Sequence, residues 1–367
     1  MACFEKPVKL DNPRAWRTYL GGSLLSALHD EAGEDGHFPE EWIMSVVAAR
    51  NAGREEIVGE GLSHLVETGE TLKEWIQADA EAILGGEHVK QHGSQPGVLV
   101  KLIDSAERLT IQVHPDRQTA RTLFGSPYGK TECWHILGGR DMNGEAPCVY
   151  LGFVPGITRE KWRMLFEAQD IPGMLACLHR FEVKPGDTVL IEGGVPHAIG
   201  AGCFLAEIQE PTDYTIRVER TTPSGFPVAD FMCHQGLGFE RMFDCFHYEG
   251  LSRDQVQQRW FLTPMLKQEQ AGGQVHTLVG YEHTPMFAMR SIQVQDALEL
   301  SCPPQFSALY VLSGEGQLVC AGSDQPIRKA EQYFLPAGVK HVHLTAAPGK
   351  QMRILQCFGP ECPGVVL

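Results

Sequence analysis

The chain has 367 residues, room for more than one core at roughly 100–200 residues per domain. Its 46 acidic against 31 basic side chains leave a net charge of −15, which argues against nucleic acid or an anionic membrane as the main partner. A small phosphorylated ligand is not excluded, since a few Arg and Lys can reverse the field inside a pocket. The opening Met-Ala-Cys-Phe-Glu-Lys lacks the basic and apolar regions of a secretion signal, and no segment reaches the ~18 apolar residues of a membrane span. Eleven Cys without Cys-x-x-Cys pairs read as reduced thiols, so a cytoplasmic setting is expected. Cys177 and Cys245 are expected to be small buried residues.

Residues 1–97 are mixed in character. Thr71-Leu-Lys-Glu74 is a capping box that should open an amphipathic helix with Leu72, Trp75, Ile76, Ile83 and Leu84 on its apolar side, ended by Gly85-Gly86. From Val98 the pattern changes. Val98–Ile103 and Leu109–His114 are short runs rich in β-branched residues, expected as strands. Residues 158–178 return to helical character behind a Thr158 cap. Phe181–Ile191 reads as strand, Pro-Gly turn, strand, and Gly194-Val-Pro-His197 closes it. Residues 227–262 are expected to be partly helical, and about 285–367 to be strands.

A weak internal repeat links the two strand-rich regions. Glu331–His341 echoes Asp187–His197 position by position. The expected architecture is therefore mainly β, with two jelly-roll units and added α-helical segments. The division is a 1–97 segment packing on the first barrel, a metal-bearing barrel with a helical insertion over 98–260, and a metal-free barrel over 285–367. His341 and His343 are expected to be structural or surface residues, because the second unit has no counterpart to the ligands of the first.

Those ligands come from two short segments. Ile111-Gln-Val-His-Pro-Asp116 and Lys130-Thr-Glu-Cys-Trp-His135 offer Gln112, His114 and Glu132, and His197 follows later. Gln112 and His114 are two apart, so on a strand they share a face. Two imidazoles, a carboxylate and an amide oxygen suit a borderline divalent metal, zinc above all, in a site with a position open to water or substrate. Cys133 should point away from Glu132. His135, His179, His234 and His247 read as satisfied structural residues, Trp75 and Trp162 as core.

These motifs resemble those of the class I mannose-6-phosphate isomerases, in their short bacterial form. The resemblance runs from about Trp16 to the C-terminus. Gln112–Pro115 matches the family's Gln-Val-His-Pro, Lys130–Glu132 its Lys-x-Glu, and His197 its late metal His; Glu207, Asp213 and Arg217 fit the spacing that follows. The resemblance implies a cupin fold and one zinc ion per chain, held by Gln112, His114, Glu132 and His197. It also implies conversion between mannose 6-phosphate and fructose 6-phosphate through a cis-enediol. Three departures stand out. Glu192-Gly-Gly replaces Pro-Ala-Gly, Thr212 replaces a Ser, and Trp42–Asn51 matches only loosely.

On that resemblance Arg217 would stabilise the developing enediolate, because a guanidinium stays charged. Lys130 would aid ring opening or steady the same oxyanion. Glu207 is the candidate base, and Asp213 would position Arg217 by a bidentate pair. Arg50, Lys101, Lys130 and Arg217 are the candidate phosphate cations. The expected partner is a small phosphosugar, with no nucleic acid or membrane, for a monomer or homodimer. A non-catalytic phosphosugar-binding cupin and an isomerase of another aldose phosphate are the alternatives. An iron oxygenase would favour a more His-rich ligand set.

Overall fold

A computed structural model describes residues 4–51 and 53–365. Two antiparallel sheets of seven strands dominate it, each faced by a smaller sheet. The first runs Phe261–Leu262, Thr188–Ile191, Glu132–Gly139, Cys203–Gln209, Leu99–Asp104, Glu40–Ile43, Arg14–Ala15. The second runs Val8–Leu10, Gln332–Leu335, Ser307–Ser313, Met352–Phe358, Ala288–Val294, Gly273–Val279, Met265–Gln270. Six strands follow the same order in both; the seventh, at the edge, comes after them in the chain in the first sheet (Phe261–Leu262) and before them in the second (Val8–Leu10). The smaller sheets agree likewise. Gln112–Val113, His197–Ile199, Cys148–Phe153 and Leu178–Glu182 in one correspond to Ala297–Ser301, His341–Ala346, Glu315–Cys320 and Ser323–Arg328 in the other. The protein is thus mainly β, with two jelly-roll units of cupin type.

Alternation of side chains along each strand makes the layers. On Leu99–Asp104, Ile103 faces the interior of the first unit with Trp134, Leu151 and Ile199. Val100 and Leu102 face the other way, into a core shared with Leu278, Met289, Tyr310 and Leu355 of the second unit. The large sheets therefore stack back to back, which is why that strand reads as an almost unbroken apolar run: both of its faces are covered. The second unit fills its own interior with apolar side chains such as Leu309, Val311, Tyr333 and Leu344.

Several elements differ from expectation. The Thr71 box forms, with Thr71 accepting from the Glu74 amide and Glu74 from the Thr71 amide. The helix behind it spans only Leu72–Ala78; Asp79 then caps a separate turn, Ala80–Leu84, and a third helix starts at Gly86 and ends at His92. The apolar face predicted from the sequence survives this break, since Leu72, Ile76, Ile83 and Leu84 are all buried. The 158–178 helix is likewise split at Gln169, which adopts a left-handed conformation (φ 49°). Leu178–Glu182 and Thr188–Ile191 flank the Pro-Gly turn without pairing to each other, and they belong to opposite sheets.

The N-terminal segment does more than pack on the first unit. Arg14–Ala15 and Glu40–Ile43 extend its large sheet, while Val8–Leu10 pairs with Gln332–Leu335 of the second. The second unit also takes in strands from Met265 onward, ahead of residue 285.

Candidate metal centre and pocket

Strand register assembles the site. Gln112 lies opposite His197 on one side and Arg217 on the other, so three strands of the small sheet carry these residues in one row. Glu132 opens its strand in the facing large sheet. The turn Glu192-Gly-Gly delivers His197, and both glycines are required there. A Cβ on Gly193 would sit 2.6 Å from the Asp116 backbone, and Gly194 has φ 90° with His247 against it.

His114, Glu132 and His197 bring their ligating atoms within 4.8 Å of one another. All three are buried. Each imidazole is oriented by a carbonyl that fixes which nitrogen faces inward. His114 Nδ1 donates to the Tyr214 carbonyl (2.9 Å) and His197 Nδ1 to that of Val195 (2.9 Å). Both Nε2 atoms therefore turn toward Glu132, at 3.2 Å and 3.4 Å. Glu132 Oε1 and His197 Nε2 are buried without a hydrogen-bond partner. Lys130 Nζ touches Glu132 Oε2 (2.6 Å) and His114 Nε2 (2.9 Å). Burial pushes the Glu132 carboxyl up, but Lys130 and the two imidazoles outweigh it and hold it well below the usual range. Burial first, then the Lys130 charge, pushes His114 down to about 4, so the ring is neutral, which is the ligand form.

Two acceptor atoms sealed from water without partners would each cost free energy. A cation among them removes that cost, so the donor set fits a metal. Gln112, one-tenth exposed, lines the pocket and lies directly across from His197 in the small sheet.

Beside this cluster lies a pocket that Gln112 and Lys130 share with it. Gln112, Lys130, Glu207, Asp213 and Arg217 all line it, as do Lys101 and Arg50. Three wall residues had no motif to announce them: Arg17, Tyr19 and Glu40. They form a buried network. Arg17 Nε meets Glu40 Oε2 at 2.9 Å, Tyr19 donates to Glu40 Oε1 (2.9 Å), and the Trp42 indole donates to Glu40 Oε2 (2.8 Å). Burial pushes the Glu40 carboxyl up, yet Arg17 and Lys101 overcome this and bring it down to about 2. Arg17 Nη2 is buried without a partner. The Trp42–Asn51 segment thus does reach the pocket.

The remaining expected residues divide. Lys101 is committed: it lies 3.1 Å from Glu207 Oε1 and 3.8 Å from Glu40 Oε2. Glu207 Oε2 accepts from the Trp134 indole (3.0 Å), so both its oxygens are occupied. The bidentate Asp213–Arg217 pair does not form among the described residues. Arg217 instead donates to the carbonyls of Met232 (3.0 Å) and Thr215 (3.3 Å). Thr212 keeps a hydroxyl function, donating to the Gly129 carbonyl next to Lys130 (2.6 Å). Cys133 turns into the apolar layer between the sheets. His135, His179, His234 and His247 each have a partner away from the cluster. Cys177 and Cys245 are buried.

No family model matches the chain. A probable mannose-6-phosphate isomerase of Bacillus subtilis is 37% identical over 121 residues, 33% of this chain and 36% of that one. The chain thus spans about a third of that relative. A putative mannose-6-phosphate isomerase of the same organism is 27% identical over 275 residues, covering 73% of this chain and 76% of its own length. The crystal structure of the B. subtilis mannose 6-phosphate isomerase superposes with a TM-score of 0.73 at 21% identity, covering 95% of this chain and 99% of that one. A mannose 6-phosphate isomerase bound with zinc and yttrium gives 0.71 at 15% identity, covering 97% and 100%. In sequence this chain is similar to proteins named mannose-6-phosphate isomerase, and in fold it is similar to their solved structures.

Proposed function

We propose that the chain is a zinc-dependent isomerase interconverting mannose 6-phosphate and fructose 6-phosphate. One observation carries this reading: two unpartnered acceptors, Glu132 Oε1 and His197 Nε2, converge beside a cationic pocket. A zinc ion held by Gln112, His114, Glu132 and His197, one per chain, would supply Lewis-acid polarisation of the sugar oxygens.

The chain's own side chains do the rest. Five cations, Arg17, Arg50, Lys101, Lys130 and Arg217, line the pocket against Glu40, Glu207 and Asp213. That local excess attracts a dianionic phosphosugar to a chain of overall negative charge. Arg17, with a free buried Nη2, and Arg50 at the rim are suited to the phosphate. Arg217, aimed by two carbonyls, stabilises negative charge as the proton leaves C2. Lys130 donates toward the ring or carbonyl oxygen during opening. The proton removed from C2 returns at C1 on the same face, through a cis-enediol. Asp213 has an uncommitted carboxylate for that transfer. Glu207, with both oxygens occupied, is better suited to fixing Lys101.

No helix among the described residues is long and apolar enough to cross a membrane. The same reading makes the enzyme a cytoplasmic monomer or homodimer.

A coupled assay from mannose 6-phosphate to fructose 6-phosphate tests the proposal. Activity should vanish on chelation and return with zinc. A folded, zinc-loaded protein inactive on mannose 6-phosphate but active on another aldose phosphate would move the substrate. One that binds phosphosugars without turnover would leave only a binding protein.

A further inference from the structure

A second cluster of ligand-type side chains lies outside the pocket. The short helix Gly86–His92 carries His88 and His92 one turn apart, and the C-terminal segment brings Cys362 against them. Their candidate ligand atoms lie within 4.8 Å of one another. His88 and Cys362 are each 1% exposed, and His92 is half-buried.

The hydrogen bonds orient these groups for coordination. His88 Nε2 donates to the Gln95 carbonyl (2.7 Å), which leaves the Nδ1 lone pair facing Cys362 Sγ at 3.9 Å. A ring nitrogen fixed by a carbonyl on its far side is the usual arrangement of a ligating histidine. Tetrahedral zinc, with bonds of about 2.1 Å to nitrogen and 2.3 Å to sulfur, sets its N and S ligands about 3.5 Å apart. The spacing found is thus within a small adjustment of that geometry. His92 Nε2 lies 3.3 Å from the Glu361 carbonyl, so its ring already rests on the segment carrying the thiol. Burial, then the Glu87 and Glu361 charges, push the Cys362 thiol up to about 11, and the same two carboxylates favour a cation there.

We infer that His88, His92 and Cys362 form a second, structural metal site for zinc, fastening the Gly86–His92 helix to the C-terminal segment. Two imidazoles and a thiolate make a softer set than the oxygen-bearing one in the pocket, and zinc takes such sets in structural sites. Binding forms an S–metal bond while the thiol proton leaves to solvent. Water or the Glu87 carboxylate would complete the fourth position. The site joins residues some 270 positions apart in sequence and exists only in the folded chain, so occupancy favours the folded state and raises stability.

Cobalt distinguishes this site from the catalytic one, because only this one contains sulfur. Metal-stripped protein titrated with Co(II) should develop a near-ultraviolet thiolate-to-cobalt charge-transfer band. It should also bind one ion beyond that of the pocket. Cys362→Ser should remove the band and that ion and leave isomerase activity unchanged. His92→Gln should weaken the band without touching activity. A His197→Ala protein should keep the band. Wild-type protein that binds cobalt without charge transfer overturns the inference, with no variant needing to fold. So does a band that survives Cys362→Ser.

Discussion

The two jelly-roll units share a strand order and differ in what fills them. The repeat places Ile191 over Leu335 and His197 over His341. Register then gives the counterparts of the ligands. Glu132 pairs with Ile191 as Ser307 pairs with Leu335, and Gln112 pairs with His197 as Ser301 pairs with His341. The second unit therefore has Ser307 and Ser301 at the paired positions, and both Ser301 and His341 are exposed, so neither points into its interior. Its interior is closed with Leu309, Val311, Tyr333 and Leu344. The same scaffold can be packed dry or can hold a polar hollow. The choice rests on a handful of inward positions, and the chemistry follows the side chains rather than the fold.

That contrast can be broken at several points. Replacing Glu132 by Gln or His197 by Ala should abolish metal binding and activity together. The loss should exceed the roughly 10–100-fold that removing an outer partner of a metal ligand produces, and metal content and the coupled assay read it. Arg217→Met should lower kcat by about 10²–10³-fold, as loss of an oxyanion donor does, with metal content intact. In the second unit the same severity should appear as stability instead. Leu344→Ala opens a dry core and should cost about 2–5 kcal/mol in a denaturant titration, while activity per folded molecule stays level.

The acid limb of stability sharpens the contrast further. Glu40, depressed to about 2 in the folded protein, binds protons more readily unfolded. Its stabilisation is complete above about 4.5 and is lost as pH falls toward about 2, on the order of 3 kcal/mol in all. Glu40→Gln should flatten that part of a stability–pH curve. Last, His341→Ala should move stability by no more than about 0.5 kcal/mol and leave activity alone, in contrast to its counterpart His197.

The sequence exposed the part of the site held by local spacing. Gln112 and His114 two apart, Glu132 two after Lys130, and the repeat ending at His197 and His341 all needed only strand periodicity. What stayed hidden depends on pairing across long separations. Arg17, Tyr19 and Glu40 reach the pocket because Glu40–Ile43 pairs with Leu99–Asp104, and no local pattern announces that register. The capture of Lys101 by Glu207 was invisible for the same reason: Glu207 lies directly opposite Lys101 on the neighbouring strand. The broken helices had a local cause, since Asp79 serves as a cap inside an otherwise continuous apolar stripe.

The strand Val8–Leu10 closes the flank of the second large sheet, where Phe261–Leu262 closes the first. Its partner, Gln332–Leu335, lies over 300 residues downstream. Val8–Leu10 is therefore made long before the strand it docks on. Without Val8–Leu10, Gln332–Leu335 would present bare amides and carbonyls on its outer edge, a template for pairing with another chain. Deleting residues 8–10 should leave that template open and raise the tendency to aggregate, read by light scattering.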